Sequence, residues 1–258
     1  MHVSSSTIRV RLGCVLAALV LLGGCATAKD PRDPFEPVNR AIYRFNETVD
    51  AAVMEPTAKL YRFVLPQFVR TSVGNVFSNA AEVRNVLNNT LQGKFTTAYS
   101  TFGRLAINST VGILGLFDVA SEAGIEKRPE DFGQTLGVWG VRDGPFMMLP
   151  LFGPSSVRDT VAWPADIYVD PFSQVDPSRA HNQIWIGRMV HQRAELIDAK
   201  KVMEGAALDE YQFVRDAYLQ RRRNLVYDGK PPVDKDTLSA PPSDRAVKPP
   251  EQEAEKPK

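Results

Sequence analysis

The residue with the most definite chemistry is Cys25. It closes Leu22-Gly23-Gly24-Cys25, after an apolar run from Leu12 to Leu22 and a basic start at Arg9 and Arg11. That order is a secretory signal, and eleven apolar residues are too few to cross a bilayer as a mature helix. Small residues leading into a cysteine make it a lipobox. Cleavage before Cys25 leaves its thiol and its new amino group as the two acylation points. Each buried methylene contributes about 0.8 kcal/mol to membrane binding, so several chains on one residue anchor it durably. Ala26 follows where an inner-membrane retention signal would place aspartate, which points to the outer membrane.

Other chemistry is sparse. Gly153-Pro154-Ser155-Ser156 is the nearest approach to a hydrolase elbow, but it lacks Gly-x-Ser-x-Gly. His181 and His191 are the histidines left after signal removal, ten residues apart on one predicted helix, a poor geometry for a shared site. With Cys14 removed and Cys25 acylated, no thiol remains for a disulfide or a zinc site. The sequence therefore predicts neither enzyme nor metal or cofactor. Residues 25–258 carry 29 basic and 30 acidic side chains, a net charge of −1, and no basic stripe with interleaved aromatics that would suit nucleic acid.

The elements that must carry any function are helical. After a leash over 25–32, Asp33-Pro34 reads as a helix start, and Phe35, Val38, Ile42, Phe45 and Val49 share one stripe. Met54-Glu55-Pro56 reads as its end. A second helix is expected over Thr57 to Val64, a third after Pro66, another over Ala81 to Leu91 closed by Gly93, and one through Phe95 to Ala106. Ser178 to about Met203 and Leu208 to Tyr227 are long amphipathic helices. No run of alternating strand residues stands out, so the predicted class is mainly α, one domain over 33–228. Gly229 to Lys258 holds seven prolines among six basic and six acidic side chains and reads as a disordered tail.

Two stretches lack charge: Leu105 to Phe117 and Gly144 to Val157. Both are too short to span a membrane. Core packing and partial immersion both account for them, and Trp139, Trp163 and Trp185 then serve as core residues or as interfacial markers. An anchored scaffold protein needs no such stretches.

Motifs through the middle carry a resemblance. They are Asp33-Pro34-Phe35-Glu36-Pro37-Val38-Asn39-Arg40 with Tyr43 and Phe45-Asn46, Leu91-Gln92-Gly93, and Asn108-Ser109-Thr110-Val111-Gly112. Glu130 to Gly137 with Trp139-Gly140, Gly144-Pro145-Phe146, Leu149 to Ser155, and Arg158-Asp159 follow in order. The chain thereby resembles the MlaA (VacJ) family of outer-membrane lipoproteins. The resemblance implies a helical ring set partly in the outer membrane beside a trimeric porin, with a mobile loop. It implies that misplaced outer-leaflet phospholipids pass through the ring to a soluble periplasmic carrier of the Mla pathway and on to an inner-membrane transporter. It implies no cofactor and no bond chemistry.

Such a conduit needs an apolar lining, a polar path for the headgroup and a gate. Gly133, Gly137, Gly140 and Gly144, spaced 4, 3 and 4, would align if helical. They mark either close backbone packing or a hinge beside the apolar stretch, and a Gly-rich hairpin loop is the expected gate. Phe146, Met147, Met148, Leu149, Leu151 and Phe152 are the candidate lining. Arg40, Arg158 and Asp159 read as structural ion pairs or caps, with headgroup contact the alternative. Mass spectrometry of the mature N-terminus should find lipid on a chain beginning at Cys25. Cys25→Ser should remain uncleaved or leave the outer-membrane fraction.

Overall fold

A computed structural model of the chain describes residues 30–232. The signal, Cys25, most of the leash and the tail beyond Pro232 lie outside the described residues. The described part is helical apart from one short hairpin. Helix α1 (Glu36–Val49) runs through a π-turn at Asp50–Met54 into α2 (Glu55–Val64) without a break. The expected stop at Pro56 is absent because the ladder changes register there. Glu55 N–H bonds Asp50 O, five residues back, and the wider turn accommodates a proline that donates nothing.

Leu65 turns extended before Pro66, and α3 (Gln67–Leu91) follows as one 25-residue helix rather than the two expected. Gly93, at φ +75°, turns the chain into α4 (Phe95–Thr110), which packs back along α3. The one-turn helix α5 (Val119–Glu122) and α6 (Phe132–Val138) lead to the hairpin. Strand β1 (Phe146–Leu149) pairs antiparallel with β2 (Gly153–Ser156), Phe146 opposite Ser156 and Leu149 opposite Gly153. This hairpin corrects the expectation of no strands. At four residues a side, its alternation is too short to register in the sequence. Ser156 caps α7 (Val157–Val169) by accepting the Asp159 N–H at 3.2 Å. The long helix expected from Ser178 breaks at Leu196 into α8 (Ser178–Glu195) and α9 (Ile197–Ala206), and α10 (Glu210–Val226) closes the fold.

What faces inward is polar. On α1 and the π-turn after it, the polar stripe Asn39, Tyr43, Asn46 and Asp50 faces the interior, and of the apolar stripe only Ile42 packs against the buried cluster while Val49 lines a hollow. Asn39 donates to Phe146 O at 3.1 Å and accepts from Met148 N–H at 2.9 Å. Asn46 likewise clasps Leu149 O and Leu151 N–H, so two amide side chains hold the hairpin to the helix. Val38 and Phe45 of the apolar stripe are exposed. Asp33 is no helix cap either. It is fully buried, accepting from Asn39 at 2.8 Å and from the Tyr211 hydroxyl at 2.5 Å, with Arg215 alongside.

The same inversion runs through α3 and α4. Glu82, Asn85, Asn88 and Asn89 of α3 and Thr101, Arg104 and Asn108 of α4 are buried. Phe63 and Phe68 near the turn between α2 and α3, and Tyr99 and Phe102 of α4, point out, Phe63 with 88% of its surface free. Arg104 donates to Glu82 at 3.1 Å and to both oxygens of Asp118 at 2.9 and 3.1 Å, and its other Nη to Ile125 O. Burial works against the Asp118 charge, but Ser121, Asn108 and Arg104 hold its carboxyl down at about 2. Apolar core exists only in patches. Phe146, Met148 and Tyr211 form one with Ile42 and Tyr218 around it, and Ala58, Ala194 and Ile197 form the other.

Between Asn108 and Asp118 the chain rises into a tip where Val111, Ile113, Leu114 and Phe117 are exposed, Leu114 by 74%. Ile113 and Leu114 both hold positive φ, at 51° and 55°. Gly112 and Gly115 fit beneath, where a Cβ would meet Phe117 O at 2.3 Å or Asn79 Cβ at 2.5 Å. Gly115 itself has φ +86°.

The interior pair makes a sharp prediction. Arg104→Met leaves the buried Glu82 and the half-buried Asp118 without their cation, and should cost about 3–5 kcal/mol in denaturant unfolding in detergent. Adding Glu82→Met should recover part of that loss rather than add to it.

Candidate functional site

The hairpin turn delivers Phe152 to a junction of three cavities. Pro150 and Leu151, the latter at φ +66°, fold the strand ends so that the Phe152 ring stands edge-on to Trp163 and to Trp185. The centroids are 4.4 and 5.9 Å away. Trp163 comes from α7 and Trp185 from α8, so one aromatic from each of three elements meets here.

On the side of Trp163 lies a hollow of about 340 Å³ lined by Leu149 and Phe152 but floored by charge. Its floor is Asp131, Asp159, Tyr218 and Arg222. Arg222 of α10 bonds both oxygens of Asp131 at 2.5 and 2.9 Å and reaches Asp159 at 2.7 and 2.9 Å. The Tyr218 hydroxyl donates to Asp159 at 2.5 Å, and Arg158 pairs with Asp159 at 2.9 Å and with Asp143. Burial disfavours the Asp131 charge, yet Arg222 and the Gln134 N–H it caps bring its carboxyl down to about 2. Asp166 goes the other way. Burial, with Arg84 and the Phe132 N–H opposing, pushes it up to about 6.

A second hollow of about 400 Å³ shares Phe152, Trp163, Arg84 and Asp166 with the first, and adds Trp185, Met189, Asp170, His181 and Arg188. The third, of about 670 Å³, shares Leu151, Phe152, Trp185 and Met189 with the second. It continues along Val49, Met54, Leu196, Ala199, Met203 and Phe213, an apolar lining rimmed by Asp50, Arg193 and Lys200. Arg193 and Lys200 are spent on Asp50, at 2.6 and 2.7 Å. The three neighbouring hollows are thus graded, from an ionic lining at Asp131, Asp159 and Arg222 to an apolar one past Leu151, and Phe152 borders all three. The largest falls within the 300–1,000 Å³ usual for small-molecule sites.

The candidate residues divide by position. Leu149, Leu151 and Phe152 face the cavities. Phe146 and Met148 are buried in the apolar cluster on Tyr211, and Met147 alternates to the other face, half-buried. The four glycines do not share one helix, since α6 ends at Val138. Gly133 and Gly137 lie in it beneath guanidinium groups, where a Cβ would meet Asp159 and Arg222 at 2.4 and 2.8 Å, or Arg158 at 2.8 Å. Gly140 and Gly144 lie in the following loop at φ +94° and +69°. The close-packing explanation therefore accounts for the first two, and conformational freedom for the last two. Arg40, on Glu36 and Asp209, and Arg158, on Asp159, are structural ion pairs. Arg84, Asp166, Met189 and Arg222 were not singled out in the sequence, because their partners stand tens of residues away.

Among the described residues no helix is long and apolar enough to cross a membrane, and no cluster of three potential metal ligands occurs. Large apolar side chains are exposed on α2, α4 and the 111–117 tip, and also on α7 to α9, where Val161, Tyr168, Ile186 and Val202 point out. Exposed apolar surface on this scale suits an interaction with a partner or a lipid surface.

Asp166 carries a pH signature. Its folded pKa of about 6 lies above the ordinary 3.8, so its contribution is intact below pH about 4 and is lost as pH rises through 6. Asn in its place keeps an acceptor for Phe132 N–H and does not titrate. The melting temperature of Asp166→Asn relative to the unaltered chain should therefore climb between pH 4 and 7 and then level off.

Residues 31–225 match the family profile described as MlaA lipoprotein. The chain is 31% identical over 230 residues to the intermembrane phospholipid transport system lipoprotein MlaA of Escherichia coli, covering 86% of this chain and 91% of that protein. The protein of the same description from Haemophilus influenzae is 30% identical, with 86% and 93% covered. A solved structure described as the structural basis for maintenance of bacterial outer membrane lipid asymmetry superposes with a TM-score of 0.67 at 31% identity, over 75% of this chain and 98% of that one. The chain belongs to the MlaA lipoprotein family.

Proposed function

We propose that this chain is an outer-membrane lipoprotein, anchored through Cys25 in the periplasmic leaflet. In this reading it takes phospholipids misplaced in the outer leaflet and passes them to a soluble periplasmic carrier, beside a trimeric porin. The observation that carries the reading is the graded lining of the hollows around Phe152. A phospholipid is itself graded, with a charged headgroup on apolar chains, and it needs both kinds of surface in continuity. The apolar chamber past Leu151 and Met189 suits chains, and the ionic floor at Asp131, Asp159 and Arg222 suits the headgroup. The inverted polarity of the helices supports the membrane setting. With apolar side chains exposed outside and most interior polar groups hydrogen-bonded or ion-paired, the domain comes near the requirement that polar groups be satisfied internally wherever lipid replaces water. No bond is made or broken; what the protein supplies is a lower barrier for moving the headgroup past the acyl region.

The hairpin turn is the place to test this. Leu151 is half free of contacts and adjoins both larger chambers, so a carboxylate there leaves the core intact but sits where chains would pass. An unpaired charge against chains costs at least several kcal/mol. Leu151→Asp should keep its circular dichroism, its abundance and its porin co-purification, while outer-leaflet phospholipid accumulates as in a deletion strain. Normal clearance in that variant would favour an anchored scaffold without a conduit.

A further inference from the structure

Arg84 differs from the other interior arginines. Arg104, Arg158, Arg193, Arg215 and Arg222 each contact at least two carboxylates within 3.6 Å, and Arg188 is neutralised by Asp170. Arg84, projecting from α3 into the wall shared by the two smaller hollows, has no side-chain hydrogen bond among the described residues. Its Nε is buried and unsatisfied, and its nearest carboxylate oxygen, on Asp166, stands at 3.9 Å. Asp166 is already occupied, accepting the Phe132 N–H at 3.0 and 3.3 Å. The side chain is partly exposed, 26% free, so its Nη groups stay open to the hollows while the buried Nε lacks an acceptor. An unpaired buried donor is costly, and the planar fork matches the oxygens of a phosphate.

The surroundings narrow the choice of phosphate. The hollows that Arg84 lines are walled by Phe152 and Trp163, and the apolar chamber opens on the other side of Phe152. The neighbouring carboxylates Asp131 and Asp159 are paired with Arg222, and Asp159 with Arg158 as well, so an anion reaching Arg84 does not face their full charge. We propose that Arg84 holds the phosphodiester of a phospholipid whose acyl chains lie in the chamber beyond Phe152. The assignment rests on the conduit reading above and adds to it a residue that distinguishes a phospholipid from a neutral lipid with the same chains.

The test uses the full acylated chain in detergent, with native mass spectrometry of lipid retention. The probes are dioleoyl phosphatidylethanolamine and dioleoylglycerol, which share chains and differ in the phosphate-bearing headgroup. The unaltered protein should retain the phospholipid about tenfold better, the worth of one charge-assisted contact. Arg84→Met, which keeps the apolar stem, should lose that preference and leave dioleoylglycerol retention unchanged, while Arg84→Lys should keep most of it. Arg84→Gln serves the same purpose if the Met variant does not fold. An undiminished preference in both neutral variants overturns the role of Arg84 and leaves the conduit standing. Retention of neither lipid by the unaltered protein overturns the conduit reading and this one with it. Inorganic phosphate alone should not raise the melting temperature. If it does, and Arg84→Met abolishes the effect, the site takes free phosphate and the lipid assignment fails.

Discussion

Arg222 is the tie on which the described fold depends. From the last turns of α10 it grips Asp131, which caps α6, and Asp159, in the first turn of α7, while Tyr218 one turn earlier seals Asp159 from the other side. Three helices distant in sequence are fixed by one guanidinium, and the hairpin between α6 and α7 is fixed with them. Gly133 follows from this, since any side chain there would fall on Asp159 and Arg222. So does the floor of the ionic hollow, because the same four groups line it. A buried network of this kind is stable only when each member is satisfied, and that requirement sets the helix order from α6 to α10.

The network is one of several. Asp33 with Asn39, Tyr211 and Arg215 ties the start of the domain to its end, and Glu82 with Arg104 and Asp118 ties α3 to α4. In water, ion pairs are modest contributors and apolar burial dominates. In the proposed membrane setting the balance reverses: where lipid covers the outside, apolar side chains gain nothing by turning in, and internal polar pairing would specify which helix meets which.

Much of this was legible beforehand. The helices at 55–64 and 95–110, the turn at Gly93 and the last helix follow from proline, glycine and helical periodicity. Helical periodicity and the lack of alternating strand residues placed the mainly helical class, and the structure agrees. What periodicity misled on was direction. On α1 a 3-4 repeat of apolar residues fixes a stripe but not the side it faces, and the flanking polar positions Asn39 and Asn46, with Asp50 after them, face the interior while Val38 and Phe45 point out. The merged α3 and the break at Leu196 turn on tertiary contacts rather than local signals. Within the cavities, Leu149, Leu151 and Phe152 stood out through apolarity. Arg84 and Asp166 did not, because a lone charge on a helix has no local mark of being unpartnered.

The polar interior also bears on how stability responds to temperature. Heat capacity rises when apolar surface is hydrated on unfolding and falls when polar surface is. Of the residues buried here, Asn, Asp, Glu and Arg are prominent, and apolar side chains form only two small clusters. In the proposed membrane setting the exposed phenylalanines and leucines of α2, α4 and the 111–117 tip would be covered by lipid or detergent before unfolding and would stay covered after it. Less apolar area would then be newly wetted than in a soluble domain of equal length, so the free-energy curve of this fold against temperature would be shallow, with little stability to gain on cooling.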